Sequence, residues 1–294
     1  MTGDEEVIRA RHGDSFGRRA VSAARRLLSS SAGETEGLAQ LARMIQQPIT
    51  TGRQIAVTSI RGGAGKSTVA ALLALTFGHY RTDPVMALEA DAILGTLPRR
   101  LGAREVRWSC ADVAHIIDPS MRITDVTGYL VPFDGGWLLP GSRGAVDGPL
   151  DTQSYWTVVT SLRRFFGTTV VDCETLPAEV ARLALATTQA RVLVAPATPE
   201  GVATTRWVLD WAASLDAGIL ATTVVALVRT SPDTTLDERW AATRLEVGGA
   251  CVIPLPYDRS LAAGGEIRTE RLGQGMREAA ARLAAETMDR AVRH

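Results

Sequence analysis

The segment that most constrains this chain joins a short apolar run to a helix through a glycine-rich loop. Residues 54–60 (QIAVTSI) have the apolar, β-branched character of a buried strand, and residues 67–77 have helical character. The loop that joins them consists of Arg61, Gly62, Gly63, Ala64, Gly65, Lys66, Ser67 and Thr68. Glycines let successive backbone N–H groups converge on phosphate oxygens, and the start of the following helix adds partial positive charge. The order strand, loop, helix therefore predicts a phosphate-binding loop.

Lys66 stands out because it is the only lysine among the 32 basic residues of the chain. A planar guanidinium cannot replace a compact ammonium on a flexible stem, which is one reason for such an exception; chance is the other. In a loop of this kind the lysine lies between the outer phosphates of a nucleotide, and the Ser67 hydroxyl binds Mg²⁺. The strict pattern GxxxxGK[ST] would place glycine at position 60, where this chain has Ile60, so the loop is a variant that keeps the GKS half.

Composition excludes several classes of protein. Hydrophobic residues make up 46% and charged residues 22% of the chain, and 32 basic residues balance 32 acidic ones. No stretch reaches the about 18 to 20 apolar residues that span a bilayer, and the first residues are acidic where a secretory signal would be basic. Cys110, Cys173 and Cys251 are too scattered for a disulfide framework or a CxxC metal site. We therefore expect a cytoplasmic globular protein.

Apolar strands alternate with helices along the rest of the chain. Strands are predicted at 54–60, 85–90, 137–139, 168–171, 192–195, 222–228 and 251–253, and helices at 67–77, 155–165, 201–213 and 275–290. Because these strands are apolar on both faces, they indicate an α/β fold with a parallel twisted sheet covered by helices on both sides. The pattern does not resolve residues 120–150. We assign residues 51–294 to this domain.

Residues 1–50 differ from the rest and are predicted to form a basic, partly helical or disordered extension. Residues 15–28 carry apolar positions at helical spacing with arginines between them, residues 29–37 resemble a linker, and a short helix is expected at 38–46. A basic amphipathic helix at 15–28 could contact a partner or make peripheral contact with the inner face of the plasma membrane. Packing on its own domain, or partial disorder, is the alternative.

The loop resembles that of the MinD/ParA family of P-loop ATPases, which reads K-G-G-x-G-K-[ST]; the resemblance extends over residues 50–294. Residues 85–97 (VMALEADAILGTL) are similar to the family's strand ending in D-x-D and its switch segment. Asp91 falls on the second acid of that motif, which the resemblance implies orients or activates the water that attacks the γ-phosphate. Glu89 stands where the family usually has the first Asp. A plain turn or cap at the strand end is the alternative for Asp91.

A second acid lies at the end of the apolar run 168–171. Asp172 has the position of the Walker B carboxylate, which supports the Mg²⁺ site directly or through water. The family commonly has a glycine shortly after this residue, whereas residues 173–177 (CETLP) contain none. The resemblance therefore implies Mg²⁺ binding by Ser67 and Asp172, with a stiffer or differently placed switch.

The C-terminal part resembles actinobacterial MinD-like proteins associated with type VII (ESX) secretion. There the family usually places an Asn at the end of the sixth strand to recognise the base, and this chain has Val228 followed by Arg229. Arg229 and Pro254 are predicted to border the nucleotide. For Pro254, and for Asp258 in the same region, a plain turn is the alternative. The substitution at 228 leaves selectivity for adenine open.

Arg61 occupies the position of a family lysine that reaches the partner's phosphates across a nucleotide-sandwich dimer. An arginine keeps the charge and can stabilise a transferring phosphoryl group, so Arg61, Lys66 and Asp91 are the candidate catalytic residues. The resemblance implies ATP and Mg²⁺ as cofactors, an ATP-dependent homodimer, and an activating or cargo protein as partner.

Three hypotheses of function follow. The first is an ATP-hydrolysing switch that positions or regulates a cellular machine, with type VII secretion, chromosome partition and polar positioning as possible outputs. The second is a nucleotide-binding module with weak or no hydrolysis, which Glu89, Arg61, Val228 and the missing glycine favour. The third, an iron-protein-like reductase, lacks a convincing pair of cysteines. No long basic block follows residue 51, so any contact with nucleic acid is expected not to be sequence-specific.

Overall fold

A computed structural model describes residues 31–93, 95–144, 148–216 and 218–293. Its centre is one eight-stranded sheet, β1 (Arg53–Thr58), β2 (Val85–Glu89), β3 (Val131–Phe133), β4 (Gly136–Leu139), β5 (Thr168–Asp172), β6 (Ala190–Pro196), β7 (Thr223–Val228) and β8 (Cys251–Leu255). The strand order is β3-β4-β2-β5-β1-β6-β7-β8. All pairings are parallel except that of β3 with β4. The predicted α/β fold with a mostly parallel sheet is confirmed.

Helices cover both faces of the sheet. In chain order they are α1 (Ser31–Ile45), α2 (Lys66–Tyr80), α3 (Leu97–Arg100), α4 (Cys110–Ile116), α5 (Ile123–Thr127), α6 (Thr152–Leu162), α7 (Glu179–Thr187), α8 (Pro199–Leu215), α9 (Gly218–Ala221), α10 (Glu238–Leu245), α11 (Arg259–Ala262) and α12 (Gln274–Arg293). One core lies between the sheet and α1, α2 and α12, and a second lies between the sheet and α4, α6, α7, α8 and α10.

Strand side chains alternate between these two cores. In β1, Ile55 and Val57 pack in the first core and Ala56 in the second, all with no exposed surface. In β2, Ala87 packs in the first core and Leu88 in the second. The two-sided apolar pattern from which the buried parallel sheet was predicted thus has a direct structural cause.

The N-terminal side of the domain differs from the prediction. Helix α1 begins at Ser31, so the interpretation of residues 29–37 as a linker is wrong for its described part. The helix packs along α12, and Ile45 has no exposed surface in the core. This tertiary contact stabilises a helix that the glycine and serine content does not favour locally. The predicted basic helix at 15–28 lies outside the described residues.

The irregular region 120–150 contains a tight hairpin. Strands β3 and β4 are antiparallel and joined by Asp134 and Gly135, with Gly135 at φ +85°. An Asp-Gly pair is a strong two-residue hairpin signal because the turn requires positive φ.

Within the described part of the chain, no helix is long and apolar enough to cross a bilayer.

Candidate nucleotide-binding site

The glycine-rich loop lies at the carboxyl end of β1 and continues directly into α2. Gly63 and Gly65 adopt φ values of +75° and +97°, which L-residues with side chains rarely adopt. Gly65 is the N-cap of α2, and no side chain caps the helix there. Arg61, Gly62 and Gly63 are exposed, whereas Ala64 is buried. The backbone N–H groups in the first turn of α2 therefore have no side-chain cap, and they lie at the end of the helix that carries partial positive charge.

Lys66, the first residue of α2, points toward the end of β5. Its side chain is largely buried, and Nζ donates a hydrogen bond to Thr175 Oγ1 over 3.0 Å. The segment that carries Thr175 is anchored to the end of β1, because Leu176 N donates to Ser59 O over 2.9 Å and Thr58 Oγ1 donates to Glu174 O over 2.8 Å. The ammonium is thus held between the glycine loop and the segment that follows β5.

Asp172, the last residue of β5, is a completely buried carboxyl. Within the described part of the chain neither oxygen has a hydrogen-bond partner of normal length and angle, although the Ser67 hydroxyl and the Lys66 ammonium lie close enough to act on the carboxylate. Its pKa is raised to about 7, because burial and, to a smaller extent, the charge of Asp91 outweigh the opposing effects of the nearby Ser67 hydroxyl and Lys66 ammonium. A buried carboxylate without a partner is costly. A cation between Asp172 and Ser67 would supply that partner, so these two residues fit the Mg²⁺ that the sequence predicts.

Carboxyl groups gather where β2 and β5 end. Burial raises the pKa of Glu174, and the charge of Asp91 raises it further. Asp91 also contributes to the raised pKa values of Asp172 and Glu89, so the structure brings it to the same edge as the glycine loop. Within the described residues, no three His, Cys, Asp or Glu side chains are arranged as a complete metal site. A cation here would take its remaining ligands from a hydroxyl, water or phosphate.

Glu89, the last residue of β2, uses both carboxylate oxygens on backbone groups. Oε1 accepts from Leu97 N over 3.0 Å and Oε2 accepts from Gly141 N over 2.9 Å. Its pKa is raised to about 7, because burial and the charge of Asp172 outweigh the opposing hydrogen bond from the Gly141 N–H.

Arg61 does not turn back toward the glycine loop. Its guanidinium binds Glu200 in the first turn of α8, with 2.5 Å between Nη2 and Oε1. The two side chains are 44% and 69% exposed, so this is a solvent-accessible ion pair of small energy. Arg61 therefore lies on the surface beside the loop, where another molecule can reach it.

A cavity of about 190 Å³ extends from the loop toward the end of β7. Gly63, Gly65 and Thr68 line the end next to the glycine loop, and Val228, Arg229, Pro256 and Tyr257 are among the residues that line the rest. Arg229 also pairs with Glu238, at 2.6 Å between Nη2 and Oε1.

The structure does not bring Pro254 to this cavity. Pro254 lies within β8 and pairs in register with Leu227. Asp258 borders the cavity, but its carboxylate accepts from Ser260 N and Gly273 N over 2.9 and 2.8 Å. A separate cavity of about 420 Å³ between α7 and α8 contains none of the predicted site residues.

Several residues at this edge were missed by the sequence interpretation. Thr175 and Glu174 follow Asp172 in a segment from which only the absence of glycine was noted. Tyr257 and Pro256 lie just beyond the chosen Pro254. For these residues a signal existed, since they sit immediately after apolar strands whose carboxyl ends meet at one edge.

Comparison with known proteins places this geometry in a class. No protein-family model matches the chain. A ParA family ATPase from Chlorobium tepidum superposes with a TM-score of 0.61 at 15% identity, over 79% of this chain and 98% of that one. MinD of Pyrococcus horikoshii in complex with Mg-ADP gives 0.58 at 21% identity, over 79% and 94%. MinD in the Aquifex aeolicus MinC:MinD complex gives 0.59 at 17% identity, over 83% and 97%. The chain therefore has the fold of the MinD/ParA-type P-loop ATPases, and this part of the prediction is confirmed.

A curated relative is the ESX-1 secretion-associated protein EspI of Mycobacterium tuberculosis. The chain is 27% identical to it over 245 residues, which is 80% of this chain but only 36% of EspI. The similarity confirms the predicted resemblance to a protein associated with ESX secretion. The chain spans about a third of the length of this relative.

Proposed function

We propose that the chain is a Mg²⁺-dependent ATPase switch of the MinD/ParA type. The observation that carries the proposal is the arrangement of Lys66 and Asp172: the only lysine of the chain begins the helix after the glycine loop and approaches a buried carboxylate, neither of whose oxygens has a hydrogen bond of normal geometry within the described residues. A cationic side chain, open helix N–H groups and a carboxylate are the components that bind a magnesium nucleoside triphosphate.

In this proposal the backbone N–H groups of residues 62–66 and the loop's Ser67 and Thr68 surround the phosphates. Lys66 exchanges its hydrogen bond with Thr175 for the outer phosphates. The base and ribose enter the cavity bordered by Arg229 and Tyr257.

Ser67 and Asp172 would hold the magnesium ion. When bound, the ion neutralises charge on the phosphate oxygens. The chain's own contribution is to hold the Asp172 carboxyl at the end of β5 near Ser67, where a bound cation would offset the cost of burying its charge. Ser67 places its hydroxyl one residue after the lysine that binds the phosphates.

Asp91 supplies the hydrolytic function in this proposal. It lies two residues beyond the end of β2, beside the carboxyls of Asp172 and Glu174. From there it accepts a hydrogen bond from the attacking water and orients it toward the γ-phosphate. Lys66 stabilises the charge that develops on the transferred group.

We further propose that ATP closes two copies of the chain face to face. Arg61 lies exposed beside the loop, so it can leave Glu200 and reach the nucleotide of a second copy. Hydrolysis would then open the dimer. The similarity to EspI supports a role in type VII secretion, in which the switch acts on an activating or cargo protein. Chromosome partition and polar positioning would use the same ATP-dependent dimer cycle, because the fold alone does not fix the function.

A second candidate is a nucleotide-binding module that hydrolyses ATP slowly or not at all. The observation that favours it is the pairing of Arg61 with Glu200, which holds the guanidinium away from its own loop. Val228 at the end of β7 offers the base no hydrogen bond from its side chain.

Light scattering combined with phosphate release separates the two candidates. The mass is measured with ADP, with ATP, and with ATP for the Asp91→Ala variant, and phosphate release is measured for the wild type and Lys66→Ala. A switch doubles its mass with ATP, stays dimeric longer in Asp91→Ala and hydrolyses only when Lys66 is present. Nucleotide binding, measured by calorimetric titration, without lysine-dependent release supports the module, and the absence of nucleotide binding contradicts both.

A further inference from the structure

Glu89 is a buried carboxyl to which the proposed mechanism gives no task. It is 2% exposed and ends β2, two residues before Asp91. Its two oxygens accept hydrogen bonds from Leu97 N and Gly141 N, which lie on two different segments. Because carboxylate bonds to backbone N–H groups are charge-assisted, they are stronger than bonds between neutral groups. One side chain therefore ties the start of α3 to the segment that follows β4.

Two glycines make room for this side chain. A Cβ atom on Gly95 would collide with Glu89 Oε1 and with the backbone oxygen of Asp91. A Cβ on Gly141 would lie 2.9 Å from the backbone oxygen of Glu89 and 3.0 Å from Ala92 Cα. Neither Gly95 nor Gly141 adopts a positive φ, so backbone conformation does not explain why these positions are glycine. The close packing around Glu89 does.

The same packing reaches the backbone of Asp91. Gly95 N donates to Asp91 O over 3.0 Å, and Ala90 N donates to Asp172 O over 2.8 Å. Ala90, the residue before Asp91, is therefore hydrogen-bonded to β5. The carbonyl of Asp91 is hydrogen-bonded to Gly95, which lies against the Glu89 carboxylate. Movement of that carboxylate would be transmitted to Asp91 through these contacts.

We propose that Glu89 is a positioning residue that holds Asp91 in place for hydrolysis by bridging Leu97 and Gly141. The inference rests on the proposed ATPase function and adds a residue that does not itself touch the nucleotide. A glutamate reaches both N–H groups, whereas an aspartate is one methylene shorter and cannot satisfy both from the same backbone position. A glutamine keeps the length but offers a single oxygen acceptor.

The test compares Glu89→Asp and Glu89→Gln with the wild type and with Glu105→Asp, the same shortening at an exposed residue. Steady-state hydrolysis gives kcat and KM for ATP, amide hydrogen exchange is followed at Leu97 and Gly141, and thermal unfolding checks the fold. We expect kcat to fall about 10- to 100-fold in both Glu89 variants while KM stays within about twofold. Exchange at the two amides should accelerate, and Glu105→Asp should match the wild type.

Two results would overturn the positioning role. One is wild-type kcat in folded Glu89 variants; the other is a fall in kcat that only parallels lost ATP affinity or lost thermal stability. If the wild type shows no Lys66-dependent turnover, the proposed function fails, and the role in hydrolysis with it. Lys66-dependent turnover in the wild type together with wild-type kcat in both Glu89 variants overturns the positioning role alone, so the two failures are distinct.

Discussion

Glu89 and Asp172 are register partners on the neighbouring parallel strands β2 and β5, and both carboxyls are buried. The two carboxylate oxygens of Glu89 accept hydrogen bonds from two backbone N–H groups. The carboxylate oxygens of Asp172 have no hydrogen-bond partner of normal geometry in the described part of the chain. Two acids in matched positions therefore have different surroundings. One is satisfied by the fold itself, and the other is the residue to which the proposed function assigns a bound cation.

The Asp172→Asn variant should be more stable than the wild type at pH 8 in the absence of nucleotide. Asp172 titrates near its ordinary value of 3.8 when unfolded and at about 7 when folded, so between these pH values the folded state holds a proton that the unfolded state has lost. The free energy of unfolding therefore falls as pH rises through this window. We expect a gain of about 1 to 3 kcal/mol at pH 8, measured by urea denaturation.

The same variant at pH 4 supplies the control, because there the wild-type carboxyl is protonated in the folded state. The gain should largely disappear at that pH. Magnesium-dependent ATP binding should be weakened in Asp172→Asn at pH 8. Equal stability of the two proteins at pH 8 would contradict an unpaired buried carboxylate.

Replacement of Lys66 by arginine should impair nucleotide binding even though the charge is kept. The ammonium lies in a buried position against Thr175, where a planar guanidinium has a different shape and different donor directions. We expect ATP affinity to fall at least about 10-fold in Lys66→Arg, equivalent to about 1.4 kcal/mol. Titration with a fluorescent ATP analogue measures it.

The opposite exchange, Arg61→Lys, is the matched control for that variant. Arg61 is exposed and its ion pair accepts either cation, so affinity should stay near the wild-type value. Equal affinity of Lys66→Arg and the wild type would show that position 66 needs only a positive charge.

Gly65→Ala should damage both stability and binding, while Gly62→Ala should be tolerated. Gly65 adopts φ +97°, which costs a residue with a side chain about 1 to 2 kcal/mol. Gly62 has no positive φ, and a Cβ there would meet nothing within 4 Å. Thermal unfolding and ATP titration of the two variants check this. Similar behaviour of both would contradict the loop geometry.

Loss of the Arg61 side chain should abolish the ATP-dependent dimer but leave nucleotide binding by the single chain. Arg61 faces solvent and Glu200 rather than its own loop. Glu200→Gln should change the free energy of unfolding by less than about 1 kcal/mol, because exposed ion pairs contribute little. Arg206→Ala, which breaks another exposed pair on α8, controls for surface charge. Sedimentation velocity with ATP detects the dimer, and one that forms in Arg61→Ala would contradict the trans contact.

Much of the fold could be predicted because its signals are local. The strand, the glycine loop and the helix with Lys66 are contiguous, and two-sided apolar strands indicate a covered parallel sheet. The start of α1 over residues 31–37 was missed because the helix to which these residues belong packs on α12, a contact distant in sequence. Asp134 and Gly135 carried a hairpin signal that was not used.

The site was harder to predict where its contacts are distant in sequence. Glu89 was read as a departure from a pattern, and its partner Gly141 lies 52 residues further along the chain. The sequence shows that an acid is present but not which backbone groups it binds. The partner of Arg61 on α8 was equally hidden, since it lies 139 residues away.

The central claim is that Lys66, the glycine loop and Asp172 bind a magnesium nucleoside triphosphate, and calorimetric titration of the protein with ATP tests it most directly. We predict saturable binding of one nucleotide per chain with Mg²⁺, strongly weakened by EDTA and absent in Lys66→Ala. Binding that is indifferent to both magnesium and Lys66, or no binding of ATP or any other nucleoside triphosphate, would contradict it.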